Sequence, residues 1–534
     1  MSRYVPVLSV LCAVLWVPGI LALPAVDRDE ARYAQATRQM VESGDWVRPR
    51  FQDEDRFKKP IGIYWLQALA VGVTGDPGSI RSYRIPSFVG AWLAVLLTFE
   101  LGRRMFDPAT GFLAASLLAT SVLVAVEATL ATTDAALLAS ITAAALGLWS
   151  IYAAVGAART PPFLEVTGFW IALGAGILLK GPVAPAVVLL TVAALAFRSG
   201  IAPAQWLRAF RPAWGLVVLA LVVAPWGVAI ALESGGAFYL EAFRGDLLPK
   251  LLGGQESHGG PPGTYLALAP VTLFPATLVL LPALATVWRS RERRAERFCL
   301  AWIAPTWALF ECLPTKLPHY VLPVFPPLVL LAARYALASP EAGPLARISH
   351  RIWIAIALAV AASGVAASLL LRVTPGVSAW ILAAAAGAAV VIVTRELRAG
   401  RLPRAAAWAI AASAVTVPVL LGGVLPGLEP LWLTERAAGV AAASPGPFAA
   451  VGYHEPSLVL RLGTDTRLIG PDEGARFLAR HEDALLLVAD RERAAVEEAA
   501  RATGISLRER AAFEGFHYTK GRWIRLAVVE RKAR

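Results

Sequence analysis

The chain has 534 residues, of which 57% are hydrophobic and only 16% charged, with a mean hydropathy of +0.59. Soluble domains carry roughly a quarter charged residues, so the composition excludes an ordinary soluble protein and indicates a polytopic α-helical membrane protein. The net charge of +12 does not indicate nucleic acid, because many basic residues gather in short connections between apolar runs, where Lys and Arg mark the cytoplasmic side.

Apolar runs predict about thirteen spans, near 5–24, 84–104, 109–127, 133–154, 165–180, 183–198, 212–232, 264–287, 297–314, 318–337, 352–372, 376–394 and 405–424. The first has no small-residue cleavage site behind it and reads as a retained helix. Cys12, Cys299 and Cys312 all lie in such runs, without metal spacing, and read as packing residues. Alternate connections carry Arg103-Arg104, the Arg289-to-Arg297 cluster and Arg395 to Arg404, which places them in the cytoplasm. The opposite side, the periplasm of a bacterium, receives loop 25–83, loop 233–263 and the C-terminal tail. The expected address is the inner membrane, with a cytoplasmic N-terminus and a membrane domain over residues 1–424.

Loop 25–83 concentrates charge and aromatic residues beside the first span. Asp27, three residues before Glu30, predicts a capping box that opens a helix running to about Ser43. Gly44 stops it. Lys59-Pro60 predicts a second, interfacial helix with Ile61, Ile63, Tyr64, Trp65 and Leu69 as its lipid-facing surface. From about Pro445 the composition turns soluble. Strands near 448–453, 485–489 and 523–529, with helices near 472–480 and 491–503, predict a small α/β domain within 425–534.

Asp29, Arg32, Tyr33 and Ala36 fall on one face of the first loop helix. A carboxylate beside a guanidinium at a membrane interface suits a phosphate-linked substrate, with Arg on the phosphate and Asp on the acceptor proton. A solvated helix start explains the pair equally well on local grounds. Arg56, Lys58 and Lys59 form either a patch on anionic headgroups or a clamp for a departing lipid phosphate. Asp134, in Thr132-Thr133-Asp134, opens the fourth span, where an acid is costly. Lys180 ends an uncharged span and either snorkels or meets a phosphate. His258 lies in the second outer loop. Lys316-Leu-Pro-His319-Tyr320 forms a tight turn that would flank a lipid entrance. The topology, derived from arginines elsewhere, puts all of these on one side of the membrane.

These segments resemble the family of lipid A 4-amino-4-deoxy-L-arabinose transferases, within membrane glycosyltransferases related to protein O-mannosyltransferases. The matching pieces are Asp29-Glu30-Ala31-Arg32-Tyr33, Gly44-Asp45-Trp46, Lys59-Pro60 with Tyr64-Trp65, Thr133-Asp134, Lys180-Gly181-Pro182, the Glu256/His258 loop and Lys316 to Pro323. The resemblance implies a GT-C-type fold of thirteen helices, two juxtamembrane helices, a periplasmic C-terminal domain and an undecaprenyl-phosphate sugar donor. By match Asp29 takes the place of the catalytic carboxylate, with Lys59, Arg32 and Asp134 as donor-site residues; Asp134, as a costly acid at the edge of the bundle, is also the second catalytic candidate. Arg32, Tyr33, Arg56, Lys58, Lys59, Lys180, His258, Lys316 and Tyr320 become candidates for the donor phosphate and substrate. The family usually has a glutamate where this chain has Lys58, and that glutamate and the loop histidine are associated with a metal. Lys58 therefore counts against a divalent metal at His258, and no cofactor is expected to be required. The expected reaction is an inverting glycosyl transfer from a polyprenyl phosphate to a lipid or glycan acceptor of the envelope, lipid A being the family's. The alternatives are a protein O-mannosyltransferase-like enzyme and, from another class, a lipid flippase or transporter. The latter predicts charges near mid-bilayer and broken helices in internal repeats.

Overall fold

A computed structural model describes residues 3–200, 202–249, 259–338 and 343–532. Among these, nine helices are long and apolar enough to cross a membrane, or ten if one bent pair is counted as a span. The chain is a multi-pass membrane protein. Every expected span has a helical counterpart, but fewer than thirteen meet that test. The expected run at 109–127 breaks into α5 (Pro108–Thr120) and α6 (Val122–Thr129), bent by 63°. The run at 264–287 likewise divides into Thr264–Thr272 and Thr277–Arg289. The helix Arg294–Cys312 carries four charged residues near its ends and falls short on apolarity. The two breaks meet: the Val122 amide donates to the Phe274 carbonyl at 3.1 Å. A backbone donor freed inside an apolar bundle must find an acceptor there, and the second break supplies it.

The first span, α1 (Tyr4–Ala22), leads into α2 (Asp29–Ser43) and α3 (Gly62–Thr74), joined by the two-residue strands β1 (Arg50–Phe51) and β2 (Glu54–Asp55). Gly44 ends α2 at φ +72°, its amide on the Met40 carbonyl. The expected capping box does not form. Asp27 is drawn away by a distant segment, and Glu30 reaches back to the Val26 amide at 2.8 Å. The outward face of α3 is also corrected. Ile61, Ile63 and Tyr64 are fully buried, packed with Tyr33 and Leu179, while Trp65, Leu66, Leu69 and Val73 are exposed. Gly62 is what lets α3 sit so close: a Cβ there would lie 2.7 Å from the Leu178 carbonyl oxygen of α8 (Phe163–Lys180).

One buried ion pair fastens these pieces. Arg84, in α4 (Ile80–Met105), is inaccessible to solvent and meets Glu30 in a bidentate contact at 2.8 and 2.9 Å. Its remaining N–H groups donate to the carbonyls of Ile20, Leu23 and Pro24 at the end of α1, where a cation also suits the helix dipole. Glu30 accepts in addition from Ala131, in the linker before α7 (Asp134–Val155).

Beyond the helices lies a five-stranded sheet of order β4-β3-β5-β7-β6, from β3 (Phe448–Val451), β4 (Arg467–Ile469), β5 (Leu485–Ala489), β6 (Leu507–His517) and β7 (Arg522–Arg531). The first three are mutually parallel, and β7 and β6 add antiparallel. Alternate residues serve opposite faces, as the strand period requires. Phe448, Ala450, Leu485 and Leu487 pack with Leu433 and Leu458, whereas Ala449, Val451, Leu486 and Val488 pack with Leu478 and Val496. The sheet unit seats on α2. The Tyr518 hydroxyl accepts from the Asp27 amide at 2.7 Å, the Ser457 amide donates to the Asp27 carboxylate at 3.1 Å, and Arg38 donates to the Leu460 carbonyl at 3.0 Å.

Candidate active site

A polar cavity of about 470 Å3 opens between α2 and the helix ends of the membrane bundle. Asp29, Arg32, Tyr33, Arg56, Lys58, Lys59, Asp134, Lys180 and Tyr320 all line it. An apolar cavity of the same volume adjoins it, walled by Ile177, Leu178, Val223, Trp226, Phe238 and Phe310 among others. Lys58, Lys59, Asp134, Lys180, Thr315, His319 and Tyr320 line both. The cations thus stand at the junction of a hydrophilic and a greasy chamber.

The two acids differ in access. Asp29 keeps 62% of its side-chain surface exposed and lies a loose 4.0 Å from Arg32, whereas Asp134 keeps 8% and is paired with Lys180 at 2.6 Å. Asp29 is therefore the carboxylate open to an incoming group, and Asp134 holds Lys180, whose ammonium also stands 5.3 Å over the Tyr320 ring. Thr133 donates to Asp134 at 3.2 Å. Arg56 lies 5.2 Å over the Tyr33 ring, which in turn packs on Tyr64. Burial works against the Arg56 charge, but its surroundings, with Asp29 as the nearby anion, outweigh it and keep the guanidinium ionised. Burial raises both phenols, Tyr33 well above its ordinary range, so Tyr33 and Tyr64 stay neutral.

Arg28, just before α2, has φ +70°, a region that favours glycine. The hydrogen bonds that its neighbour Asp27 makes, donating from its amide to Tyr518 and accepting from the Ser457 amide, hold the chain in this turn and thereby fix where Asp29 starts the helix.

One expected site residue stands apart. Lys316 lines neither cavity. It is buried, donates to the Phe310 carbonyl at 2.9 Å, faces Glu311 at 3.7 Å and sits over Tyr265. It satisfies the open carbonyls at the end of the helix Arg294–Cys312, where a cation belongs. His258, with Glu256, lies outside the described residues. Among the described residues no group of three or more His, Cys, Asp or Glu side chains is arranged to hold a metal ion.

Two further residues were missed. Glu127 accepts from Thr132 at 2.7 Å and lies 3.5 Å from His319, which also reaches Asp134 at 4.0 Å. Glu127 is the sole acid in its apolar run, and an ionisable residue inside a span is a site candidate by default. His319 belongs to the Lys316–Tyr320 turn motif, where a lone histidine between a basic and an aromatic residue carries no signal of its acid partners.

The family model for dolichyl-phosphate-mannose-protein mannosyltransferase matches residues 1–266, relating the chain to the protein O-mannosyltransferases. The undecaprenyl phosphate-α-4-amino-4-deoxy-L-arabinose arabinosyl transferase of Pectobacterium carotovorum subsp. carotovorum (strain PC1) is 30% identical over 432 residues, 79% of this chain and 75% of that protein. The chain belongs to this arabinosyl transferase family. The relative of the same name from Pseudomonas aeruginosa (strain LESB58) is 32% identical over 323 residues, 59% of this chain, and the match spans just over half, 55%, of that protein's length. The crystal structure of ArnT from Cupriavidus metallidurans shares the fold, with a TM-score of 0.76 at 20% identity over 99% of this chain and 98% of that one. The family's GT-C-type architecture therefore extends through both the helical bundle and the sheet unit.

Proposed function

We propose that the chain is an inverting glycosyltransferase that moves a sugar from a polyprenyl phosphate to an acceptor of the bacterial envelope, lipid A or a related glycolipid. The observation that carries this reading is the shared wall of the two cavities. An apolar chamber meets a polar one at a ring of lysines, which matches a molecule with a phosphate between a lipid tail and a sugar. The relatives are named for an undecaprenyl-phosphate-linked aminoarabinose, and the Cupriavidus ArnT has been solved bound to undecaprenyl phosphate.

In this reading the tail lies in the apolar chamber and the phosphate meets Lys58, Lys59 and Lys180, with Arg32 and Arg56 from the polar side. Asp29 takes the proton of an acceptor hydroxyl. The acceptor oxygen attacks the anomeric carbon from the face opposite the phosphate. The C–O bond to phosphate breaks, its electron pair stays on the phosphate oxygen, and the cations offset the charge that develops there. An acceptor that is itself a phosphate is already anionic, and Asp29 then orients it. Asp134 positions Lys180. These cations meet the leaving group's charge, so the reading calls on no cofactor. It places the chain in the inner membrane, with a cytoplasmic N-terminus and both cavities and the sheet unit on the periplasmic side.

Asp29→Asn tests the assignment: transfer of labelled sugar from undecaprenyl phosphate falls by about a thousandfold or more, the upper part of what general-base loss costs, with insertion and donor binding unchanged. Near-normal turnover removes Asp29 from the mechanism. The match to the mannosyltransferase family model favours one second reading, transfer to protein, and label recovered in protein rather than in lipid extracts would establish it.

A further inference from the structure

A second crevice lies where the sheet unit meets α2, with a volume of about 470 Å3. It sits outside the carboxyl ends of the parallel strands. Gly452 and Glu455 follow β3, Gly470 follows β4, and Arg491 and Glu492 follow β5. The connection from β3 runs to β4 on one side, and that from β5 leads to the strands on the other. This is the switch point of an open α/β sheet, the usual place for a ligand.

The crevice is cationic. Arg28, Arg32, Arg491, Lys520 and Arg522 face it, against the carboxylates of Glu455 and Glu492. Both acids are engaged locally. Glu455 takes hydrogen bonds from His517 and Thr519 at 2.6 Å each, and Glu492 pairs with Arg491 at 3.2 Å. Lys520 and Arg522 are exposed, and among the described residues their side chains have no carboxylate partner. Arg28 and Arg32 line both this crevice and the polar cavity of Asp29, whereas the crevice shares no residue with the apolar chamber. A ligand here approaches the reacting carboxylate from the side away from the donor's tail.

We infer that this crevice binds a phosphate group on the headgroup of the acceptor lipid and presents that headgroup to Asp29 past Arg28 and Arg32. The inference rests on the transferase reading for the identity of the second substrate, but its test does not depend on turnover. Full-length protein in nanodiscs, wild type and Lys520→Ala/Arg522→Ala, is titrated with a bis-phosphorylated glucosamine-disaccharide lipid, its dephosphorylated form, undecaprenyl phosphate and inorganic phosphate. The double variant loses about tenfold or more in affinity for the phosphorylated lipid, as expected for two charge-assisted contacts. Its affinity for undecaprenyl phosphate and for the dephosphorylated lipid is unchanged, and Lys520→Arg binds as wild type. Unaltered binding of the phosphorylated lipid overturns the inference. So does an equal loss for undecaprenyl phosphate, which would mark a folding defect or a donor site. Inorganic phosphate that binds through Lys520 and Arg522 without competing against the lipid overturns it too, in favour of a free-phosphate site. If transfer is absent while the binding difference persists, the transferase reading fails and the anion site stands.

Discussion

Glu30→Gln probes the joint on which the Asp29 helix rests. The carboxylate takes four hydrogen bonds, two from Arg84 and one each from the Val26 and Ala131 amides. An amide in its place has one oxygen, so its NH2 must face two of those four donors. Arg84, wholly buried, keeps its charge without a counter-charge. Breaking one side of a buried pair costs about 3–5 kcal/mol, a shift of roughly two to nearly four decades in the folding equilibrium. The exposed pairs on the same helix, such as Arg38 with Glu42, are worth at most about 1 kcal/mol. The assay is reversible unfolding in bicelles of wild type, Glu30→Gln, Arg84→Met and the double variant. The double variant is expected to be less destabilised than the sum of the single changes, because no stranded charge remains. A Glu30→Gln cost below about 1 kcal/mol, or single effects that add within about 0.5 kcal/mol, refutes the argument.

Gly62→Ala drives a methyl against the Leu178 carbonyl and pushes α3 from α8, with a cost of about 1–3 kcal/mol typical of overpacking and a weaker donor affinity at the neighbouring Lys59; unchanged thermal stability contradicts the close approach. Asp27 gives a pH signature. Burial, and then the Glu455 charge, push its carboxyl up to about 7, so the docked state favours the neutral form. This contribution is complete below the ordinary carboxylate range, near 4, and is lost as the pH rises through about 7. Asp27→Asn therefore gains stability relative to wild type between those values, read by amide exchange of Ser457. A pH-independent difference contradicts it.

The apolar runs and the glycine and proline punctuation made most helices legible, because a bilayer asks for one simple pattern. The break at Ser121 was not, since the freed Val122 amide is satisfied by the distant Phe274 carbonyl, whereas Pro275 marks the break before Thr277 inside an otherwise continuous apolar run. The face of α3 was misjudged because aliphatic residues occupy both its sides, and only the partner helices decide which side is inside. Asp29, Arg32, Lys59 and Lys180 could be listed from sequence as charges stranded in an apolar chain. That Asp134 ties down Lys180 while Asp29 stays open is a matter of distance, and no spacing reveals it. Edge strand β6 escaped notice because Arg508, Glu509 and Arg510 interrupt its alternation.

The contact of Tyr518 with Asp27 joins positions 491 residues apart. The contact cannot form before β6 and the turn that carries Tyr518 have been synthesised, so the bundle can insert and pack while the turn before Asp29 is still unsecured. A newly inserted chain would accordingly pass through an immature interval, with its apolar chamber formed and the start of the Asp29 helix unset, until the last strands arrive and fasten it.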